Sequence, residues 1–442
     1  MAKTKNAMFV EAAIQRSIDS AELTKSWAPA MEGLNVGLFD SIERPETRSR
    51  IRQKREPYAH ALSLVNDHIT VPQEQIDEAS AAYTDIAERL ASKLDWPLSA
   101  ISIFPQGSAS TKTLIRTTGS GKFDIDAVCE VNISMLEAQD PMAFFEDIGK
   151  ALDGLNAEQK KRCWTINVVG KPFYVEITPS VPLTTVPLTV RQLHGLRQAE
   201  PEFVSTALAV VDTPQKDWKT SNPAGIRDWV NRASTRKVIW EPALEAAFDS
   251  VRAHIEPVAK QSVEVEETLR VAIRLFKRHR DMCVRRGHLT ADTQPISIIL
   301  VTLLTTCYEG LADLIDDNAR QPFSHVVDAL IALAELLPDM IPYYRDLGYY
   351  LANPTVVDEN FAERWNNDEG ERAEAFRTWC GLLRADLVAI AALDDPEDIT
   401  TKTLEVFGCT AAGGPKGGNG NSGPHITAPS APPPAPRTSG LA

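Results

Sequence analysis

Among the 442 residues there is no CxxC pair and no HExxH motif, and the six cysteines are irregularly spaced. These absences exclude a zinc finger, a zincin-type metal site and a disulfide framework, and they favour a reducing cytoplasm. Long apolar runs are missing too, since the longest, ISIILVTLL at 296–304, is too short to span a bilayer. The start of the chain also lacks the apolar core of a secretory signal. We therefore expect a cytoplasmic protein without membrane insertion.

Positive charge is in deficit, because 46 Lys and Arg face 60 Asp and Glu for a net charge of −14. A molecule of this charge repels a polyanion unless its basic residues lie in one groove, so double-stranded DNA binding is not expected. The basic cluster RSRIRQKRE at 48–56 is interpreted as a solvated helix face. A hydrophobic fraction of 43% is sufficient for a sizeable core, and the length predicts two or three domains.

Hydrophobic patterning divides the chain into four parts. Helical spacing of apolar residues predicts an N-terminal helical segment, 1–95, that packs on a core at 96–215. Helical periodicity returns over 216–407 and predicts a helical lobe. The last part, 408–442, is rich in Gly, Pro, Ser and Ala and has no aromatic residue, so it is expected to be a disordered tail.

The predicted core is a mixed sheet. Short β-branched runs bounded by Gly, Ser and Pro indicate its strands. They are ISIF (101–104), DAVCEVNI (126–133), WTINVV (164–169) and PFYVEI (172–177). After the sheet, Asn222 and Pro223 suit the cap and the first turn of a helix.

The segment 106–128, QGSASTKTLIRTTGSGKFDIDAV, contains two chemical devices. At Gly107-Ser108, a residue without a side chain lets backbone N–H groups approach phosphate oxygens, and the Ser hydroxyl adds a donor. Asp124 and Asp126 open a strand, and the alternation of a strand puts both carboxylates on one face. Hard oxygen ligands of this kind suit Mg²⁺.

A third acid is expected on a neighbouring strand, and Glu176 in FYVEITPS meets that need. Three acids can hold two metal ions about 3.5–4 Å apart, one activating a hydroxyl and one stabilising a leaving phosphate. The chemistry that this arrangement predicts is nucleotidyl transfer.

Two tempting motifs in the same region are set aside. GSGK at 119–122 is not a P-loop, because Arg116 stands where the first Gly is needed and Phe123 follows the Lys. It is interpreted as a hairpin turn. Cys129 lies on the strand face opposite the aspartates, so it is interpreted as a small core residue and not as a nucleophile.

The spacing G-S-x4-T, followed by h-D-h-D-h, resembles the signature of the polymerase-β-like nucleotidyltransferases, specifically the bacterial cGAS/DncV-like group. TSNPAGIRDWV at 220–230 is similar to the family's SNPxGYxxWF segment, with Ile226 and Val230 departing from the aromatic pattern. AIRLFKRHRD at 272–281 resembles the helix that presents a lysine to the triphosphate, and PISIIL at 295–300 supplies a phosphate-contacting serine.

The resemblance implies an α+β fold, with a polymerase-β-like core, a C-terminal helical lobe and the active site in the cleft between them. Asp124 and Asp126 would bind two Mg²⁺ ions, for which Mn²⁺ can substitute, and Glu176 would bind one, although many relatives carry Asp there. The implied nucleotide-binding residues are Gly107, Ser108, Thr113, Lys277 and Ser297. For Lys277 the alternative is a solvated helix end, the usual fate of a basic run.

Family enzymes join NTPs into cyclic di- or trinucleotide signals and release pyrophosphate. By resemblance, this chain would use ATP, alone or together with other NTPs, in bacterial anti-phage signalling, and its product would activate a separate effector protein. Some members are joined through a flexible tail to target lysines by a ubiquitin-like conjugation machinery. The end of this chain, with Ala442 as the conjugation site, is compatible with that, but small residues at a disordered end are common.

Two alternatives stay open. The same triad could transfer a single NMP to a protein, RNA or small-molecule acceptor. The chain could also be a catalytically silent nucleotide-binding or interaction module. Against the silent module stand Asp124, Asp126 and Glu176, because a scaffold has no need of three carboxylates that repel one another.

Overall fold

A computed structural model describes most of the chain. The described residues are 3–24, 45–118, 121–132, 140–239, 261, 263–264 and 267–409. Part of the predicted GSGK turn and the predicted tail from 410, with Ala442, lie outside them. All six cysteines lie within them and are free thiols, as the spacing predicts.

In the described chain the main sheet has seven strands. They are β1 (Ile101–Pro105), β2 (Phe123–Val131), β3 (Ala157–Gln159), β4 (Trp164–Asn167), β5 (Phe173–Pro182), β6 (Leu208–Asp212) and β7 (Asp217–Ser221). Their order is β1-β2-β5-β4-β3, and β6 joins the end of β5 to β7. β2 and β5 run parallel whereas the other pairs are antiparallel, which confirms a mixed sheet. The apolar runs located β1, β2, β4 and β5 but not the other three strands.

Helices pack against this sheet and make up most of the second half of the chain. They are α1 (Lys5–Thr24), α2 (Pro45–Ile69), α3 (Gln73–Leu94), α4 (Gly107–Ser110), α5 (Pro141–Ala151), α6 (Leu188–Leu193), α7 (Pro223–Ser234), α8 (Thr268–Arg285), α9 (Ser297–Asp316), α10 (Val326–Leu336), α11 (Glu371–Ala391) and α12 (Pro396–Val406). A short hairpin, β8 (Tyr343–Tyr344) and β9 (Gly348–Tyr349), precedes α11. α7 begins as predicted, with the Asn222 side chain accepting a hydrogen bond from the Gly225 N–H at 2.9 Å.

The predicted N-terminal segment does not pack as one unit on the sheet. Only α3 joins the core of the sheet, through Ile76, Tyr83 and Leu90. α1 and α2 belong to the core of the helical lobe. α1 lies against α9 so closely that a Cβ on Gly310 would be 2.5 Å from the Asn6 carbonyl oxygen. Glycine at this position therefore allows α1 and α9 to lie this close together.

By length and composition alone, α9 could cross a membrane. Within the fold, however, 72% of its most apolar stretch is buried. It packs against α1, α7 and α8 in the core of the helical lobe. The apolar character of α9 is thus accounted for by core packing.

The helical lobe extends two residues past its predicted end at 407. The Arg278 guanidinium donates to the carbonyl oxygens of Phe407 at 2.8 Å and Gly408 at 3.1 Å. Cys409 is buried, with 8% exposure. Buried hydrogen bonds to the backbone hold this segment, a feature that composition does not reveal.

Candidate active site

The phosphate cradle predicted at Gly107 and Ser108 forms the short helix α4, directly after β1. The Gln106 N–H donates to the Asp126 carbonyl oxygen at 2.9 Å, which places the cradle beside β2. Gly107 has a φ of +58°, and a Cβ there would lie 2.5 Å from Asp126 Oδ2. The backbone conformation therefore favours glycine, and a side chain at this position would displace the Asp126 carboxylate.

Asp124 and Asp126 are partly exposed on one face of β2, as the alternation predicts. Ile125 between them is completely buried in the core of the sheet, on the other face. Cys129 is also fully buried in that core, which confirms its interpretation as a core residue. The Tyr83 hydroxyl donates to the Asp126 backbone carbonyl at 3.3 Å and adds to its support.

Glu176 stands directly opposite Asp126 in the parallel pairing of β2 with β5. Its side chain is 6% exposed and accepts hydrogen bonds from Thr165 Oγ1 at 3.1 Å and Cys163 Sγ at 3.6 Å. Burial raises the pKa of the Cys163 thiol, and the charges of Glu176 and Asp126 raise it further, so the thiol stays protonated and can donate. Sequence reasoning missed Cys163 and Thr165, because only the register of β4 against β5 reveals them.

The three acids match the oxygen donors that Mg²⁺ takes, and the register places them on neighbouring strands. Within the described ranges, however, no three or more His, Cys, Asp and Glu side chains are grouped so as to hold a metal ion. Asp124 and Asp126 are partly exposed, whereas Glu176 is held by Thr165 and Cys163. The three carboxylates are suitable ligands for Mg²⁺, and they lie on the same face of neighbouring strands. They are not already gathered around a common point, however, so the metal site is not preformed.

Lys277 is brought from the helical lobe to the cradle. Its Nζ donates to Ser108 Oγ at 2.7 Å and to the Thr113 carbonyl oxygen at 3.0 Å, and the residue is only 4% exposed. Burial lowers the pKa of Lys277 to about 7, and the positive charge of Arg280 contributes to the shift. The Thr113 side chain is fully buried and hydrogen-bonds to Thr111 at 2.8 Å, so Thr113 presents its carbonyl to the lysine.

Ser297 is the first residue of α9, and a hydrogen bond links it to α8, the helix that also carries Lys277. Arg280 donates through one nitrogen to the Pro295 carbonyl at 2.9 Å and to Ser297 Oγ at 3.3 Å. The same guanidinium pairs with Asp281 at 2.8 Å. Arg280 lies among other basic residues on α8, and nothing in the sequence pattern distinguishes it from them.

Most of the basic run on α8 is buried and not solvated. Arg274 is completely buried and donates to the carbonyls of Gln261 at 2.5 Å and Asn66 at 3.2 Å. Only Arg285 and Arg286, at the end of the helix, are exposed. The interpretation as a solvated helix end therefore applies to these last two residues.

The interpretation of the basic cluster of α2 as a solvated helix face is only partly correct. Arg55 is 9% exposed and pairs with Asp328 at 3.0 Å, whereas Lys54 is exposed and lies 3.1 Å from Asp394. The side chains of the remaining basic residues of this cluster lie outside the described ones.

Comparison with known proteins gives the site its context. No protein-family model matches the chain. A curated protein named c-di-GMP synthase, from Roseivirga ehrenbergii, is 26% identical over 271 residues. That match spans 60% of this chain and 61% of the relative's length.

Solved structures extend the likeness over the fold. The CD-NTase CdnG of Bradyrhizobium diazoefficiens, in complex with GTP, matches 80% of this chain and 100% of its own with a TM-score of 0.52 and 19% identity. CdnC of E. coli MS115-1, with ATP, matches 79% of this chain and 97% of its own with a TM-score of 0.51 and 14% identity. The chain is thus similar in sequence to a c-di-GMP synthase and similar in fold to bacterial CD-NTases.

The likeness to solved CD-NTase structures confirms the predicted α+β fold with a mixed-sheet core and a helical lobe. The two departures from the family's SNPxGYxxWF segment are buried on α7, Ile226 at 7% and Val230 at 0% exposure. Both side chains belong to the hydrophobic core of the helical lobe.

Proposed function

We propose that the protein is a cGAS/DncV-like nucleotidyltransferase that joins nucleoside triphosphates, ATP among them, into a cyclic di- or trinucleotide. The observation that carries the proposal is the hydrogen bond from Lys277 to Ser108, at 2.7 Å, beside the partly exposed Asp124 and Asp126. A cation from one lobe and a glycine-serine turn from the other converge next to two carboxylates. The name of the curated relative, c-di-GMP synthase, supports the same reaction class.

The phosphate groups of the donor nucleotide would lie at the convergence of α4, α8 and α9. Gly107 and Ser108 would offer backbone and hydroxyl donors, and Lys277 would neutralise charge on the triphosphate. Ser297 would donate its hydroxyl to a phosphate oxygen. Thr113 would act indirectly, since it holds Lys277 through its carbonyl group.

Asp124, Asp126 and Glu176 would hold Mg²⁺, which lowers the pKa of an attacking hydroxyl and stabilises a leaving pyrophosphate when bound. In each transfer, a sugar hydroxyl oxygen forms a bond to the α-phosphorus, and the bond from that phosphorus to the β-phosphate oxygen breaks. The hydroxyl proton is released and pyrophosphate leaves. A final transfer within the linear product closes the ring, so no protein nucleophile is needed.

The biological role in the proposal is anti-phage signalling, with a product that activates a separate effector protein. This part rests on the family resemblance, as does tail conjugation at Ala442.

Product analysis tests the proposal. The purified protein is incubated with all four NTPs and Mg²⁺ or Mn²⁺, treated with phosphatase and examined by mass spectrometry. A phosphatase-resistant species at the mass of a cyclic di- or trinucleotide is expected, and it should be absent from the Asp124→Asn, Asp126→Asn double variant. An NMP attached to an added acceptor, with no cyclic species, would replace the proposal by single-nucleotide transfer.

A further inference from the structure

Arg280 is a buried guanidinium with acceptors on both sides. Nε and one terminal nitrogen donate to Asp281 Oδ1 at 3.1 and 2.8 Å. The other terminal nitrogen reaches the Pro295 carbonyl at 2.9 Å and Ser297 Oγ at 3.3 Å. With 4% exposure, this side chain is fixed by the protein and not by solvent. A carboxylate on its own helix thus orients a cation toward the start of α9.

The hydrogen bond to Ser297 has a direction that matters for chemistry. A guanidinium only donates, so Ser297 Oγ must accept from Arg280. The single hydroxyl proton of Ser297 then remains to be donated elsewhere. No side-chain hydrogen bond caps α9 at Ile296, so Arg280 supplies the contact that orients this first turn.

The charge around Arg280 favours an anion. Lys277 lies one helical turn before Arg280, and the charge of Arg280 lowers the pKa of Lys277. Asp281 pairs with Arg280 at 2.8 Å, and the charges of Asp281 and Asp124 offset part of the repulsion between Arg280 and Lys277. A triphosphate bound beside Lys277 would relieve that repulsion, because a buried charge is stabilised by an opposite charge nearby.

We infer that Arg280 is a positioning residue of the triphosphate site, where it holds the Ser297 hydroxyl so that its proton faces a phosphate oxygen. This inference rests on the proposed function and deepens it. Arg280 acts through Ser297, so its loss should affect recognition of the β- and γ-phosphates and leave recognition of the rest of the nucleotide unchanged.

A double-mutant cycle tests the inference. The probe is an ATP analogue with a methylene bridge between the α- and β-phosphorus atoms, titrated with Mg²⁺ into wild type, Arg280→Gln, Ser297→Ala and the double variant, with AMP as a second probe. Each single change should weaken binding of the analogue about tenfold, the size expected for one charge-assisted hydrogen bond. The double variant should be within about twofold of Arg280→Gln, since the two groups act as one unit.

Arg286→Gln is the matched control. Arg286 is exposed directly after the end of α8 and donates to the Glu405 carbonyl at 2.5 Å, so this change removes an equal charge at another place. Binding of both probes should stay within about twofold of wild type. AMP binding should also be unchanged in Arg280→Gln, a result that a merely structural role would not produce.

The outcomes separate the two hypotheses. If wild type binds the analogue and Arg280→Gln binds it equally well, or if the two single effects multiply in the double variant, the inference is wrong and the proposed function stands. If wild type does not bind the analogue, both fail. Should Arg280→Gln not fold, Arg280→Lys decides, because it keeps the charge but not the fork of donors and should lose affinity for the analogue and none for AMP.

Discussion

Lys277 Nζ lies 2.7 Å from Ser108 Oγ, and this hydrogen bond joins the helical lobe to the sheet at the predicted phosphate cradle. The amine also donates to the Thr113 carbonyl at 3.0 Å, so two acceptors from one loop hold it in place. Neither acceptor carries a formal charge, and Lys277 is 4% exposed. Burial of the amine in these surroundings lowers the pKa of Lys277 to about 7, so its charge changes with pH near neutrality.

Nucleotide affinity should therefore depend on pH through Lys277. Its pKa is lowered to about 7, and a bound triphosphate raises it, so above pH 7 binding requires uptake of a proton. Affinity for ATP with Mg²⁺ should fall as pH rises from about 7.5 to 9, by up to about tenfold per unit. Calorimetric titrations in buffers of different ionisation enthalpy measure both the affinity and the proton uptake.

Lys277→Arg is the matching variant, because arginine stays protonated throughout this range. Its affinity should show no comparable fall with pH. A wild-type affinity that does not change between pH 7.5 and 9 would contradict the prediction. The free protein offers a second check: the pKa of Lys277 lies below its unfolded value of 10.5, so its stability should rise with pH between about 7 and 10.5.

Gly107→Ala should inactivate the protein and destabilise it moderately. The new Cβ would lie 2.5 Å from Asp126 Oδ2, and the φ of +58° strains any residue with a side chain. The left-handed conformation costs about 1–2 kcal/mol, and the contact displaces the carboxylate. Pyrophosphate release and thermal unfolding measure the two effects.

Gly121→Ala is the control glycine for that experiment. A Cβ on Gly121 meets nothing within 4 Å, and it lies in the same stretch between β1 and β2. Activity and melting temperature should match wild type. Wild-type activity in Gly107→Ala would mean that catalysis does not depend on the close approach of the cradle to Asp126.

Changing Asp124 and Asp126 to Asn together should abolish pyrophosphate release and leave the fold intact. Both side chains are partly exposed, and the amide keeps their shape while it removes the charge that a metal ion needs. Circular dichroism and a thermal melt check the fold. Substantial activity in this double variant would refute the assignment of the metal site.

The residues that sequence reasoning located are those whose own strand or helix positions them. Alternation alone placed Asp124 and Asp126 on one face, and a cap with a following proline predicted the start of α7. Cys163 and Thr165 were missed, because their contact with Glu176 depends on strand register, a long-range property. The division of α1 and α3 between two cores was missed for the same reason, since one helix pattern fits either lobe.

Thr165→Val should reduce turnover without unfolding the protein. The change removes the hydroxyl that donates to Glu176 Oε1 at 3.1 Å and keeps the shape of the side chain. A carboxylate without this donor is less well oriented, and we expect a loss of about tenfold in kcat, the size of one hydrogen bond to a charged group. Steady-state pyrophosphate release measures it. Thr185→Val, which loses a hydroxyl bonded to the Pro182 carbonyl on the exposed surface, is the control and should keep wild-type turnover.

Truncation after Cys409 should leave catalysis and stability largely unchanged, whereas truncation after Val406 should destabilise the helical lobe. The second cut removes Phe407, which is completely buried, and both carbonyl groups that accept from Arg278. Deleting a buried phenylalanine costs about 3–5 kcal/mol, and Arg278 would lose two backbone partners beside Lys277 on α8. Thermal melts and pyrophosphate release on both truncated proteins measure the difference. If both truncated proteins have the same melting temperature, the segment 407–409 does not anchor α8. If the cut after Cys409 already abolishes turnover, the residues beyond it are needed for catalysis.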